Sequence, residues 1–200
     1  MIDEETMPHG DHAPGGHRGV DVYRRLRDVA AELLSLKELR PLLKACDALT
    51  QELLQVDACS IALLDERGRV LVPLLTQAGG NTTTLEPLSL ELFDGRIWDA
   101  ILGGRTIIVA GGMILDGGEP LALAEPQSAL TAMLTPLPLI APHRGILWVG
   151  RIHGKAFTLD DQHLAEAIAA LLAFGLRNVY DTVGHTGYHD LYGPEPWNAA

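Results

Sequence analysis

Apolar residues along this chain change their period twice, first from helical to alternating and then back. Between Val20 and Lys37, residues Val22, Leu26, Val29, Leu33 and Leu36 recur at intervals of four, three, four and three. That is the a/d stripe of an amphipathic helix, suited either to helix-on-helix dimer packing or to packing on its own domain. Pro41 fits the first turn of a second helix, where its missing N–H costs nothing. Leu42, Leu43, Cys46, Leu49 and Leu53 form one face of that helix, down to about Gln55. The period then shortens. Ala58 to Leu64 and Val70 to Leu75 are strand-length apolar runs, and Asp65-Glu-Arg-Gly-Arg69 between them predicts a hairpin.

Further on, Asp94 to Leu102 predicts a short helix carrying Ile97, Trp98 and Ile101 on one side and stopped by Gly103-Gly104. Thr106 to Ala110 is a β-branched strand, whereas Leu85 to Phe93 fits neither period. Thr131 to Leu137 and Ile146 to Ile152 are two more strands, joined through the turn-rich Pro138 to Gly145, so a second antiparallel hairpin is expected. Thr158 and Asp161 stand in capping-box spacing at the start of a closing helix. Its broad apolar face is Leu164, Ile168, Leu171, Leu172, Leu176 and Val179, and it is expected to fold back over the hairpin.

Three stretches lack a period. Residues 1–19 read as a disordered N-terminal arm and residues 181–200 as a flexible tail, which leaves one domain over residues 20–180. Gly111 to Gln127 holds four glycines and two prolines. A loop of that length inside a domain is either a functional lid or a tolerated insertion.

Charge and composition mainly exclude. A net charge of −11 argues against a nucleic-acid surface. The densest basic group, Arg24, Arg25 and Arg27, shares its helix with Asp21, Asp28 and Glu32. An acidic N-terminus and no apolar run approaching about 20 residues point away from the membrane, so a soluble cytoplasmic protein is expected. Cys46 and Cys59 form no Cys-x-x-Cys motif and read as buried small hydrophobes rather than a redox pair. His143, His153 and His163 read as solvated, and the pairs His9/His12 and His185/His189 are too loosely held to define a metal geometry. Gly150-Arg-Ile-His-Gly-Lys155 is one residue short of a phosphate-binding loop, and Ala156 replaces the hydroxyl that would hold magnesium. No catalytic motif is present and no metal site is expected.

The order of elements, together with five local signatures, resembles a GAF domain over about Leu39 to Asn178. The signatures are Asp57-Ala-Cys-Ser-Ile-Ala-Leu-Leu-Asp65, Asp94 to Arg105, Thr131 to Leu137 with its Pro-Leu end, Gly145-Ile-Leu-Trp-Val149, and Phe157-Thr-Leu-Asp-Asp161. The resemblance implies an α+β, PAS-like fold: a six-stranded antiparallel sheet with the terminal helices on one face and a small-molecule pocket on the other. It also implies a regulatory sensor, often a parallel dimer through the terminal helices. Bilin-binding members attach the chromophore through a pocket-side cysteine, and neither Cys46 nor Cys59 falls where that attachment is expected. The free methionine sulfoxide reductases of the family look as though they need cysteines in the loop before the fourth strand, and Gly111 to Gln127 has none.

Alternation places Thr131, Met133 and Thr135 on one sheet face and Ala132 and Leu134 on the other. Two hydroxyls beside a polarisable thioether suit a ligand of mixed polarity. Trp98 would stack over it and Trp148 would form a wall, although both tryptophans also suit a filled core. The expected site is therefore Trp98, Thr131, Met133, Thr135 and Trp148, with an unidentified small molecule as ligand and no catalytic residue. The expected role is a non-catalytic sensory module that relays binding through a helical homodimer to a separate effector protein. The alternative is a dimerisation or interaction scaffold whose pocket is filled by its own side chains.

Overall fold

The computed structural model describes residues 15–64, 70–78, 81–82, 88–89, 102–110, 130–139, 144–152 and 155–183. Two helices, α1 (Gly15–Ser35) and α2 (Leu39–Leu54), lead into strands β1 (Ala58–Leu64), β2 (Val70–Ala78), β3 (Asn81–Thr82) and β4 (Leu88–Ser89). Then come β5 (Ile107–Ala110), β6 (Leu130–Leu137), β7 (Gly145–Ile152) and the closing helix α3 (Leu159–Val183). Helix α1 starts at Gly15, taking in the last five residues of the expected arm, and α3 runs on to Val183, past the expected start of the tail. Residues 1–14 and 184–200 lie outside the described residues, as do Trp98, most of its expected helix, and the Gly111 to Gln127 loop.

The sheet is antiparallel, with β2, β1, β7, β6 and β5 side by side in that order. The six strands that the resemblance implies are thus corrected among the described residues to five of four residues or more. The other two, β3 and β4, have only two residues each, and both pair with β2. Gly79-Gly80 precedes the first and Pro87 the second; glycine weakens a strand and proline cannot donate to a ladder. Pro73 within β2 is accommodated by a bulge: Ile61 faces Leu75 while Ala62 faces Pro73, so Leu74 is the extra residue. The first and last long strands, β1 and β7, meet at the centre, which makes this a fold of long-range contacts.

The helices stack on one face. Cys59, Ile61 and Leu63 of β1, Met133 and Leu137 of β6, and Leu147 and Val149 of β7 share one buried cluster with residues of all three helices. Val29 and Leu33 of the α1 stripe belong to it and are 4% and 0% exposed, so the heptad seam packs on its own domain. Arg25 of α1 pairs with Glu52 of α2 at 2.8 Å, which sets these helices antiparallel; both side chains are half exposed, so the pair adds little stability. Helix α2 is antiparallel to α3 as well, and closely packed: a Cβ at Gly175 would fall 2.5 Å from Leu42 Cδ1. Hence α1 and α3 run parallel, and the Asn178 side-chain amide donates to the Leu34 carbonyl at 3.4 Å.

Helix α2 ends on Gln55 in the left-handed conformation, φ 51° and ψ 55°, with its N–H closing on the Gln51 carbonyl. A side chain is strained there, and glycine is the residue that ordinarily takes the position. Gln55→Gly should therefore raise stability by about 0.5–1 kcal/mol in urea unfolding, since relief of strain exceeds the added freedom of the unfolded chain. A lower midpoint would show that the Gln55 side chain contributes more than its backbone costs. At the Gly103-Gly104 stop expected after the short helix, Gly104 has φ +68°.

Candidate ligand site

Strand β7 carries Trp148 and Arg151, and alternation sends them to opposite faces of the sheet. Trp148 stands opposite Ser60 of β1 and Leu134 of β6, on the face away from the helices. It is 3% exposed, and its Nε1–H has no hydrogen-bond partner among the described residues. Next to it across β1, Ser60 Oγ lies 3.0 Å from Thr76 Oγ1 and donates to the Leu75 carbonyl at 3.2 Å. The remaining positions on this face include Ala62, Leu64, Leu71, Ala132, Leu134 and Ile146, all buried. An orphaned donor beside a hydroxyl pair, in an otherwise apolar setting, is compatible with a small-molecule face.

The other expected site residues do not share this face. Thr131, Met133 and Thr135 stand opposite Arg151, Val149 and Leu147, so their side chains lie on the helix-covered side. Met133 is fully buried in the cluster that holds Ala165, Ile168 and Leu172 of α3, and Thr135 is 1% exposed, its hydroxyl also without a partner among the described residues. The expected grouping of these three with Trp148 is corrected: register sets them back to back. Trp98 lies outside the described residues. Sequence reasoning missed Ser60 and Thr76; the available signal was that Ser60 alternates with Cys59 and Ile61, which gives β1 one polar-small and one bulky face.

Arg151, on the helix side, joins three elements. Its Nη2 donates to the Leu54 carbonyl at the end of α2 (2.6 Å) and to Asp161 Oδ1 in the first turn of α3 (3.1 Å). Its Nη1 reaches Asp161 Oδ2 at 3.2 Å and the Lys155 carbonyl at 3.3 Å, and the guanidinium lies 4.2 Å from the centre of the Phe157 ring. Asp161 also closes the expected capping box, accepting from the Thr158 N–H at 2.8 Å and the Thr158 hydroxyl at 3.0 Å. Burial pushes the Asp161 carboxyl up, but the bonds from Arg151 and Thr158 outweigh it and hold it below its ordinary value. At the edge of the same turn, Asp57 Oδ2 accepts the Ile152 N–H at 2.7 Å.

Both cysteines are buried free thiols, Cys46 on α2 itself and Cys59 on β1 beneath the helices. Burial, and then the nearby Asp47 carboxylate, push the Cys46 thiol up to about 12 and the Cys59 thiol well above its ordinary value. A protonated thiol is a poor nucleophile. Asp47 is itself buried, which raises its carboxyl against the opposing bonds from Gln51 and Cys59. Of the histidines weighed as ligands, His163 is exposed, and His143 and His153 lie outside the described residues. Among the described residues no three metal-ligating side chains cluster, and no helix is long and apolar enough to cross a membrane.

No protein-family model and no curated protein sequence matches the chain. Solved structures do. The GAF domain of a phosphoenolpyruvate-protein phosphotransferase from Acinetobacter is similar over 84% of this chain and 96% of its own, at 18% identity and a TM-score of 0.61. A free methionine-R-sulfoxide reductase from Neisseria meningitidis, solved with its substrate, covers 86% of this chain and 98% of its own at 16% identity and a TM-score of 0.61. The GAF domain of a two-component sensor histidine kinase from Bacillus halodurans covers 72% and 97% at 19% identity and a TM-score of 0.54. With helices α1, α2 and α3 on one face and β1 beside β7 at the centre of an antiparallel sheet, the chain has the fold of a GAF domain.

Proposed function

We propose that the chain is a non-catalytic sensory module that takes a small molecule on the sheet face opposite the helices. The buried Trp148 N–H, unpartnered among the described residues, carries this reading, because leaving a donor unsatisfied costs about 1–3 kcal/mol that a ligand acceptor would recover. The likeness to the GAF domain of a sensor kinase supports a regulatory role. Support for a non-catalytic one comes from the two cysteines, the chain's only thiols, being buried and held protonated under the helices. Native mass spectrometry of protein purified from its own host tests the ligand directly: an added mass that departs on denaturation is expected. A bare protein would favour the scaffold with a self-filled pocket.

Binding is read out, in this proposal, across a homodimer to a separate effector. Because Val29 and Leu33 of the heptad seam are buried inside the domain, the dimer contact falls to what α1 and α3 leave outside. Leu34 is 44% exposed and Phe174 60%, on parallel helices that touch one turn away at Asn178. Phe174→Glu should convert a dimer to a folded monomer in sedimentation equilibrium with an unchanged circular dichroism spectrum. A variant as dimeric as the parent would sink the helical relay.

A further inference from the structure

We infer that the ligand of the Trp148 face is an uncharged, largely apolar molecule that presents one hydrogen-bond acceptor to the indole N–H. The inference rests on the ligand-binding reading of that face and goes further by naming the chemistry. Strand register assigns to the face Ala58, Ser60, Ala62 and Leu64 from β1 and Leu71, Pro73 and Thr76 from β2. From the other strands it assigns Ile146 and Trp148, Ala132, Leu134 and Pro136, and Ile107 and Val109. Among these described residues none is charged. A phosphate, carboxylate or ammonium set against these residues would be desolvated without a counter-charge from any of them, a penalty that a neutral group avoids.

The polar groups define the rest. Indole Nε1–H donates and cannot accept, so Trp148 asks for an acceptor. Ser60 and Thr76 have one hydroxyl proton each. The Leu75 carbonyl takes one and the contact between the two oxygens takes the other. Only their lone pairs are left, and these impose no demand when unfilled. Hence a ligand must bring an acceptor, whereas a donor is optional. A flat, neutral ring system bearing a carbonyl meets these conditions; a nucleotide or an organic acid does not.

Three probes of one shape separate the terms: coumarin, neutral with a ring carbonyl; naphthalene, neutral with no acceptor; and coumarin-3-carboxylate, charged at pH 7. The readout is the Nε1–H resonance of Trp148 in proton–nitrogen spectra of the full chain. Trp148→Phe assigns that resonance; should this variant not fold, Trp98→Phe and Trp197→Phe assign it by elimination among the three tryptophans. Coumarin is expected to move the resonance downfield, naphthalene to bind about fivefold to tenfold more weakly, and the carboxylate at least about tenfold more weakly. If the carboxylate binds as tightly as coumarin, the uncharged class is overturned; if naphthalene does, the acceptor is. Either result leaves the ligand site standing. A resonance unmoved by all three overturns the inference outright, and the ligand-site reading falls with it only if native mass spectrometry also finds no bound mass.

Discussion

Met133→Ala should cost about 3 kcal/mol of folding stability and leave the chemistry of the Trp148 face untouched. Met133 is fully buried in the cluster between sheet and helices. Truncating such a side chain to alanine removes its transfer free energy and leaves a cavity that the surroundings fill only in part, together about 2–5 kcal/mol. The upper end of that range applies to rigid sites; here Val149 and Ile108 flank Met133 on the neighbouring strands. Ile108 sits on β5, is 42% exposed, and has freedom to lean in, so the middle is expected. For a domain of this size the midpoint of thermal unfolding should fall by roughly 6–12 °C. The Trp148 Nε1–H resonance and the amount of bound ligand should stay where they are, because Met133 projects from the opposite side of β6. A Met133→Ala protein of near-parental stability that had lost its ligand would put the site on the helix side and refute the assignment of a ligand site to the Trp148 face.

That assignment separates what local sequence conveys from what it does not. Alternation along Thr131 to Leu137 correctly told that Met133 and Leu134 point opposite ways, and the Thr158 to Asp161 spacing told how α3 begins, since both are properties of one segment. Which side the helices cover is a property of pairing between residues about ninety positions apart, Cys59 with Val149 and Ser60 with Trp148. No period within either strand contains it. The α1 stripe has the same limit: spacing of Val22, Leu26, Val29, Leu33 and Leu36 shows that one face is apolar and is silent on whether a second copy or the chain's own α3 covers it. Arg151 was visible only inside a glycine-flanked run that looked faintly like a phosphate loop. Its importance comes from where the chain carries the end of α2 and the start of α3, so sequence spacing could not reveal it.

Arg151→Ala should cost about 3 kcal/mol at neutral pH, much more than a surface arginine. The guanidinium is 12% exposed and its partner Asp161 20%, between the surface pairs worth at most about 1 kcal/mol and the buried ones whose disruption costs about 3–5. The ion pair alone would place the loss at the low end. To it are added the Leu54 carbonyl, which loses a charged donor at the left-handed end of α2, and the stacking on Phe157. The effect should depend on acid in a definite sense. Since the folded Asp161 carboxyl is held below its ordinary value of 3.8, its contribution is fully present above that pH and is lost as pH falls through the depressed folded value. Removing Arg151 takes away the largest stabiliser of the ionised form while burial still raises the carboxyl, so acid unfolding should begin at a higher pH in Arg151→Ala. The stability gap between parent and variant should also narrow as the parent's Asp161 becomes protonated. Urea unfolding at a series of pH values measures both, and Asp161→Asn completes a double-mutant cycle in which the two losses should fall well short of adding. Additive losses, or a gap that stays constant into acid, would mean that Arg151 acts through its backbone and ring contacts and that the tie from β7 to the first turn of α3 is not electrostatic. If the cycle does show coupling, β7 holds the indole proposed to face a ligand and a helix-holding guanidinium three residues apart. Displacing the first would then load the second, which gives a binding event on one sheet face a physical route to the helices on the other.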